Sequence, residues 1–73
     1  MNGNFHVVLF ESVSSALLAE KIFKKQGIPH KIIPVPRHIS SDCGVCIRIQ
    51  EQDKSRVADA LSGKVKVHEI RGL

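Results

Sequence analysis

The segment from His30 to Gln50, "HKIIPVPRHISSDCGVCIRIQ", decides the fold because it places two strand-like runs in direct succession. The first run, "HKIIPV", is rich in isoleucine and valine, and the second, "VCIRIQ", alternates apolar and polar positions. Both patterns are typical of β-strands. Between them, Pro36 to Gly44 are mostly small and polar, which indicates a loop. The segment therefore predicts two consecutive strands joined by a loop.

A helix is predicted before this pair of strands, over the sequence "VSSALLAEKIFKKQG". The serines from Ser12 to Ser15 can accept hydrogen bonds from the free N–H groups of a first turn. Lys24 and Lys25 suit the negative end of the helix dipole, and Gly27 is free to adopt a left-handed turn. The apolar positions at helical spacing are Ala16, Ala19 and Phe23, with Leu18 and Ile22 beside them.

A second helix is predicted after the pair, over "KSRVADALSG". Asp53 is a plausible N-cap for this helix. Val57, Ala60 and Leu61 form its apolar stripe, and Gly63 ends it.

The two outer segments complete the order of elements. "FHVVLF" (residues 5–10) is an apolar run of strand length, and "KVKVHEIRG" (residues 64–72) alternates valines with polar residues. The resulting order β-α-β-β-α-β predicts one domain over residues 1–73, an α+β ferredoxin-like sandwich. Its antiparallel sheet would have the strand order 4-1-3-2, with both helices on one face. Pro34 and the lysines of the last strand would then protect the two edges.

Composition limits the function classes. The 73 residues carry a net charge of +4, which favours anionic partners or serves solubility alone. No apolar run is long enough to cross a membrane, and the N-terminus lacks a basic leader, so we expect a cytoplasmic protein. Two cysteines are too few for a disulfide scaffold. Nucleic acid is not expected as a partner, because "VCIRIQ" has no aromatic residue on which bases would stack.

The predicted topology brings the start of the first helix, around Ser14, to the same end of the sheet as the loop that carries Cys43. A thiol reacts as the thiolate, which positive potential favours. The helix dipole, Arg37 and a protonated His38 would all lower the pKa of Cys43.

The residues next to Cys43 do not decide whether its pKa is lowered or raised. Ser40 and Ser41 offer hydroxyl donors, and Gly44 leaves backbone room beside the sulfur. Asp42 opposes acidification unless it points away or pairs with Arg37. A loop with an inert cysteine is the alternative interpretation.

Cys46 lies within the strand and alternates with its apolar residues, so it should face away from the helices. A redox pair with Cys43 would need a sharp turn at Gly44. Together with His38, the two cysteines supply three ligands, whereas structural zinc normally has four. We therefore expect no metal and no cofactor.

The run Pro36-Arg37 followed by Ile39 to Gly44, "ISSDCG", resembles a family of small bacterial and archaeal proteins described as selenium/sulfur carriers. The resemblance covers nearly the whole chain, and it implies that Cys43 carries the sulfur or selenium. A carrier, rather than an enzyme, would accept the atom from a cysteine desulfurase-like donor and deliver it to an acceptor protein. The resemblance leaves Cys46 an accessory or resolving role at best.

Two alternatives remain open. One is a thiol–disulfide redox protein that uses Cys43 and Cys46. The other is a docking or regulatory module in which the cysteines are incidental, with the sheet face of Cys46 and Arg48 packed against a second copy as a homodimer.

Overall fold

The computed structural model describes residues 4–37, 39 and 44–72. Within these residues the chain forms two α-helices, a single 3-10 turn and one sheet of four antiparallel strands, which confirms the predicted α+β class. In chain order the elements are β1 (Phe5–Phe10), α1 (Val13–Gln26), β2 (Lys31–Pro34), β3 (Val45–Gln50), the 3-10 turn (Glu51–Asp53), α2 (Lys54–Leu61) and β4 (Val67–Gly72).

The strands lie in the order β2-β3-β1-β4, which is 4-1-3-2 when read from the other edge. β3 pairs with both β1 and β2, and β1 also pairs with β4. Strands β2 and β4 are therefore at the edges. Pro34 ends the edge strand β2, where its missing N–H removes no bond from the interior of the sheet.

Both helices pack on one face of the sheet, formed by alternate residues of the central strands. Phe10 and Ile49 illustrate the burial there, with 1% of each side chain exposed. Leu18, which was expected beside the apolar stripe of α1, is instead half-exposed. The predicted helix residues that do lie in this core are Ala16, Ala19, Phe23, Val57, Ala60 and Leu61.

The two ends of α1 follow the predicted capping chemistry. Ser12 is extended, and its Oγ accepts a hydrogen bond of 3.2 Å from the backbone N–H of Ser15. Gly27 is left-handed, with φ of 71°, and its N–H donates to the carbonyl of Lys24. The next N–H, that of Ile28, donates to the Phe23 carbonyl and completes the termination.

Asp53 occupies the N-cap position of α2 as predicted, but its side chain does not make the capping hydrogen bond. Its backbone belongs to the 3-10 turn, with φ of −96° and ψ of 1°. The carboxylate is instead buried, and its Oδ1 lies 3.5 Å from Nη1 of Arg56. The tight turn takes Asp53 out of the extended conformation that an N-cap normally has.

β4 begins at Val67, so the lysines expected to protect this edge, Lys64 and Lys66, precede the strand. Lys66 instead pairs with Glu11, with 3.3 Å between Nζ and Oε2. The register with β1 shifts between Leu9 and Phe10. This irregularity lets Val67 and Ile70, three positions apart, both pack against the helix-side core.

Replacement of the N-cap Ser12→Ala should lower the free energy of unfolding by about 1 kcal/mol, because the Ser15 N–H loses its acceptor. The matched control is Ser14→Ala, at an exposed serine that is the second residue of α1. We expect this change to be neutral or slightly stabilising. Urea denaturation followed by circular dichroism measures both. Equal losses in the two variants would contradict this account of the helix start.

Candidate functional site

In the connection between β2 and β3, one apolar residue packs on the face of the sheet that the helices leave open. Ile39 lies in the middle of this connection and is only 4% exposed. It packs with Val7, Leu9 and Cys46, which point to this face from the central strands. Ile39 therefore covers a second, smaller core.

Cys46 faces away from the helices, as its alternation predicted. No part of its side chain is exposed, so it is covered more completely than expected. A thiol in this position is shielded from solvent by the sheet and by Ile39.

Backbone hydrogen bonds fix both ends of the connection. The N–H of Val35 donates to the carbonyl of Gly44 over 3.2 Å and closes the base of the loop. The N–H of Ile39 donates to the carbonyl of Pro36 over 3.0 Å, which forms a turn. Gly44 has φ of 81°, a conformation that suits glycine and strains other residues.

The predicted site falls partly within the structure. Arg37 is exposed and makes no ion pair with any residue that the structure describes, and Ser14 is exposed in the first turn of α1. Gly44 lies at the base of the loop, and Cys46 is buried on the helix-free face. The other predicted site residues, His38, Ser40, Ser41, Asp42 and Cys43, lie outside the described residues.

The start of α1 and the β2–β3 connection lie at the same end of the sheet. Cys46 pairs with Leu9 near the end of β1 and with Ile33 near the end of β2. However, Ile39 packs on the face opposite to α1. An effect of the helix dipole on Cys43 therefore stays a prediction.

Over residues 4–37, 39 and 44–72, no three histidine, cysteine or acidic side chains lie in a group that could hold a metal ion. Two of the three ligands considered from the sequence, His38 and Cys43, are outside that range. In the same part of the chain, no helix has the length and apolar character needed to cross a bilayer.

A row of cations on the helix-free face was not predicted from the sequence. Lys31 pairs in register with Arg48, Arg48 with Val7, and Val7 with Arg71, so the three cations lie in one line across the sheet, with Val7 between Arg48 and Arg71. The guanidinium of Arg48 stacks 4.3 Å from the centroid of the Phe5 ring. The alternation of "VCIRIQ" indicated the face on which Arg48 lies. The alignment of Lys31 and Arg71 with Arg48 follows only from the register of the strands.

The chain matches a known family over most of its length. Residues 5–70 fit the family model described as "Putative Se/S carrier protein-like". No curated protein and no solved structure matches. The family match agrees with the resemblance carried by the loop sequence.

Truncation of Ile39 should open the smaller core. We expect Ile39→Ala to lower the free energy of unfolding by about 3 kcal/mol, and Ile39→Val by about 1 kcal/mol. In a Cys43→Ser background, alkylation of Cys46 should be faster in both variants than in the parent protein. The rate is read from intact mass after exposure to iodoacetamide under native conditions.

Leu17→Ala is the matched control, because Leu17 is an aliphatic residue with half of its surface exposed. It should change neither the stability nor the Cys46 rate appreciably. If Cys46 of the Ile39→Val protein, still folded, reacted no faster than that of the parent, Ile39 would not be its cover.

Proposed function

The chain belongs to the "Putative Se/S carrier protein-like" family, and from this premise we propose that it carries a sulfur or selenium atom on Cys43. The atom is held as a persulfide or a selenosulfide and passes between partner proteins in the cytoplasm. The family match over residues 5–70 is the observation that carries the proposal.

The proposal includes a ferredoxin-like βαββαβ sandwich. The order of elements, the antiparallel sheet and the packing of both helices on one face support it. In such a fold the β2–β3 connection and the start of α1 share one end of the sheet, and the carrier atom is assigned to that end.

The burial of Cys46 favours Cys43 as the carrier. A carrier thiol has to meet the sulfur atom of a second protein, and Cys46 has no exposed surface under Ile39. Cys43 directly precedes Gly44, at the base of the closed loop. Arg37, on the other side of the same loop, is exposed and can contribute positive potential.

The transfer step needs no oxidant. The Cys43 thiolate attacks the outer sulfur of a persulfide on a cysteine desulfurase-like donor. A new sulfur–sulfur bond forms on Cys43 as the donor's bond breaks, and the donor leaves as a thiolate. Delivery is the reverse exchange, in which a nucleophile of the acceptor protein takes the outer atom and Cys43 returns to the thiolate.

Positive potential supports both the empty and the loaded forms of Cys43. The helix dipole, Arg37 and a protonated His38 would lower the pKa of the Cys43 thiol, whereas the adjacent Asp42 would raise it. A persulfide is more acidic than a thiol, so the loaded sulfur is also an anion. Ser40 and Ser41 offer hydroxyl donors to it.

The redox alternative is less well supported. A thiol–disulfide protein has to expose both sulfurs in turn to its partners, and the burial of Cys46 opposes that.

Loading is tested by incubating the protein with a cysteine desulfurase and cysteine and then measuring the intact mass. We expect one additional sulfur atom on the wild-type protein and none on Cys43→Ser, because serine cannot hold a persulfide. Cys46→Ala, which leaves the loop sequence unchanged, is the matched control and should load like the wild type.

Two results would refute the carrier role: a wild-type protein that gains no sulfur, or a Cys43→Ser protein that gains as much. Loss of two hydrogens on mild oxidation, abolished by Cys46→Ala, would instead favour the redox alternative.

The pH dependence of Cys43 alkylation tests its environment. In a Cys46→Ala background the rate should rise through a midpoint below the ordinary pKa of a thiol, because the rate follows the thiolate fraction. Arg37→Gln should move this midpoint to higher pH, since a nearby positive charge is lost. Lys54→Gln, an equal charge change at the start of α2, should leave it in place. A midpoint that Arg37→Gln does not move would exclude Arg37 from the site.

A further inference from the structure

Three cations lie in one line across the helix-free face. Lys31, Arg48 and Arg71 come from β2, β3 and β4, with the buried Val7 of β1 between Arg48 and Arg71, and we call the three cations the cationic row. Neighbouring strands are about 4.8 Å apart, so the row extends over about 14 Å. Arg48 of the row is two residues after Cys46 in β3, so the row and Cys46 are on the same face, the one that Ile39 covers.

The charge of the cationic row is not neutralised within the part of the chain that the structure describes. The ion pairs found there use other cations: Lys24, Arg56 and Lys66. Glu69, opposite Leu9, also belongs to this face, but it makes no ion pair with Arg71. A concentration of unpaired positive charge on one face favours an anionic partner.

A cleft of about 140 Å³ adjoins the row and supplies further polar contacts. Lys31, Arg48, His30 and Gln50 contribute to its wall, together with the Phe5 ring. Nδ1 of His30 hydrogen-bonds with the carbonyl of Ile28 over 2.8 Å, which orients the imidazole. Stacking on the Phe5 ring orients the guanidinium of Arg48. Part of the surface is therefore organised before any partner binds.

We propose that the cationic row docks an acidic segment of the protein that exchanges sulfur or selenium with this chain. The inference rests on the proposed function for the identity of that partner, but not for the charge of the segment. Because Ile39 packs on the same face, a segment bound on the row would bring its protein close to Ile39, four residues before Cys43 in the sequence.

Other occupants fit this face less well. Sheets that bind single-stranded RNA stack bases on several aromatic rings, whereas Phe5 is the aromatic residue here and Arg48 already stacks on it. A symmetric contact with a second copy would place the same surface on both sides and bring two cationic rows together. Charge complementarity therefore favours an acidic protein segment over both.

The test uses a fluorescein-labelled oligoglutamate peptide and measures anisotropy on titration with the full-length protein. A neutral Gly-Ser peptide of equal length serves as the reference. Replacing the row by Lys31→Gln, Arg48→Gln and Arg71→Gln together should weaken peptide binding about tenfold or more, since three charge contacts are lost.

The matched control removes equal charge elsewhere, by Lys21→Gln, Lys25→Gln and Lys54→Gln. These lysines are exposed on the helices and take part in none of the ion pairs above. The control triple should bind the peptide within about twofold of the wild type, because long-range effects of exposed charges are screened by salt.

Equal weakening in both triple variants, or no binding by the wild type, would overturn the proposal. So would tighter binding of an oligouridylate RNA with the same row dependence, or a row-dependent dimer in analytical ultracentrifugation. All titrations are repeated with Cys43→Ser protein, where we expect unchanged peptide binding. If the wild-type protein binds the peptide but gains no sulfur from the desulfurase, the carrier function is disproved and the docking surface is still supported.

Discussion

The burial of the central strands on both faces is the constraint on which the rest of the structure depends. Val7, Val8, Leu9 and Phe10 are consecutive residues of β1, and each is at most 1% exposed. Helices cover one face, so a second cover is required on the other. Ile39 of the β2–β3 connection provides it, so this one residue between the two strands belongs to the core.

The sequence predicted the elements whose signals are local. Capping by Ser12, termination at Gly27 and the buried positions of both helices depend on residues within one or two turns, and these are found as expected, whereas Leu18 is half-exposed. Asp53 differs for a local reason, because it ends a 3-10 turn and pairs with Arg56 three residues away. The start of β4 at Val67 and its register shift against β1 depend on pairing with a strand that is distant in sequence.

The candidate site was predictable in part for the same reason. Alternation along β3 was sufficient to place Cys46 on the helix-free face. Its complete burial was not predictable, because Ile39 lies in a polar segment whose packing no periodic pattern reveals. The cationic row depends on the register of all four strands, so Lys31 and Arg71 come into line with Arg48 only in the folded sheet.

The anchoring of Ile39 has a mechanical consequence for a carrier. Between Ile39 and Gly44 only five backbone steps separate two fixed points, so their midpoint can rise less than about 10 Å from the protein surface. A segment this short cannot move Cys43 between two enzymes bound at distant places on the surface. If Cys43 carries sulfur or selenium as proposed, the donor and the acceptor must bind at the same place one after the other, and this chain has to dissociate from the first before it binds the second.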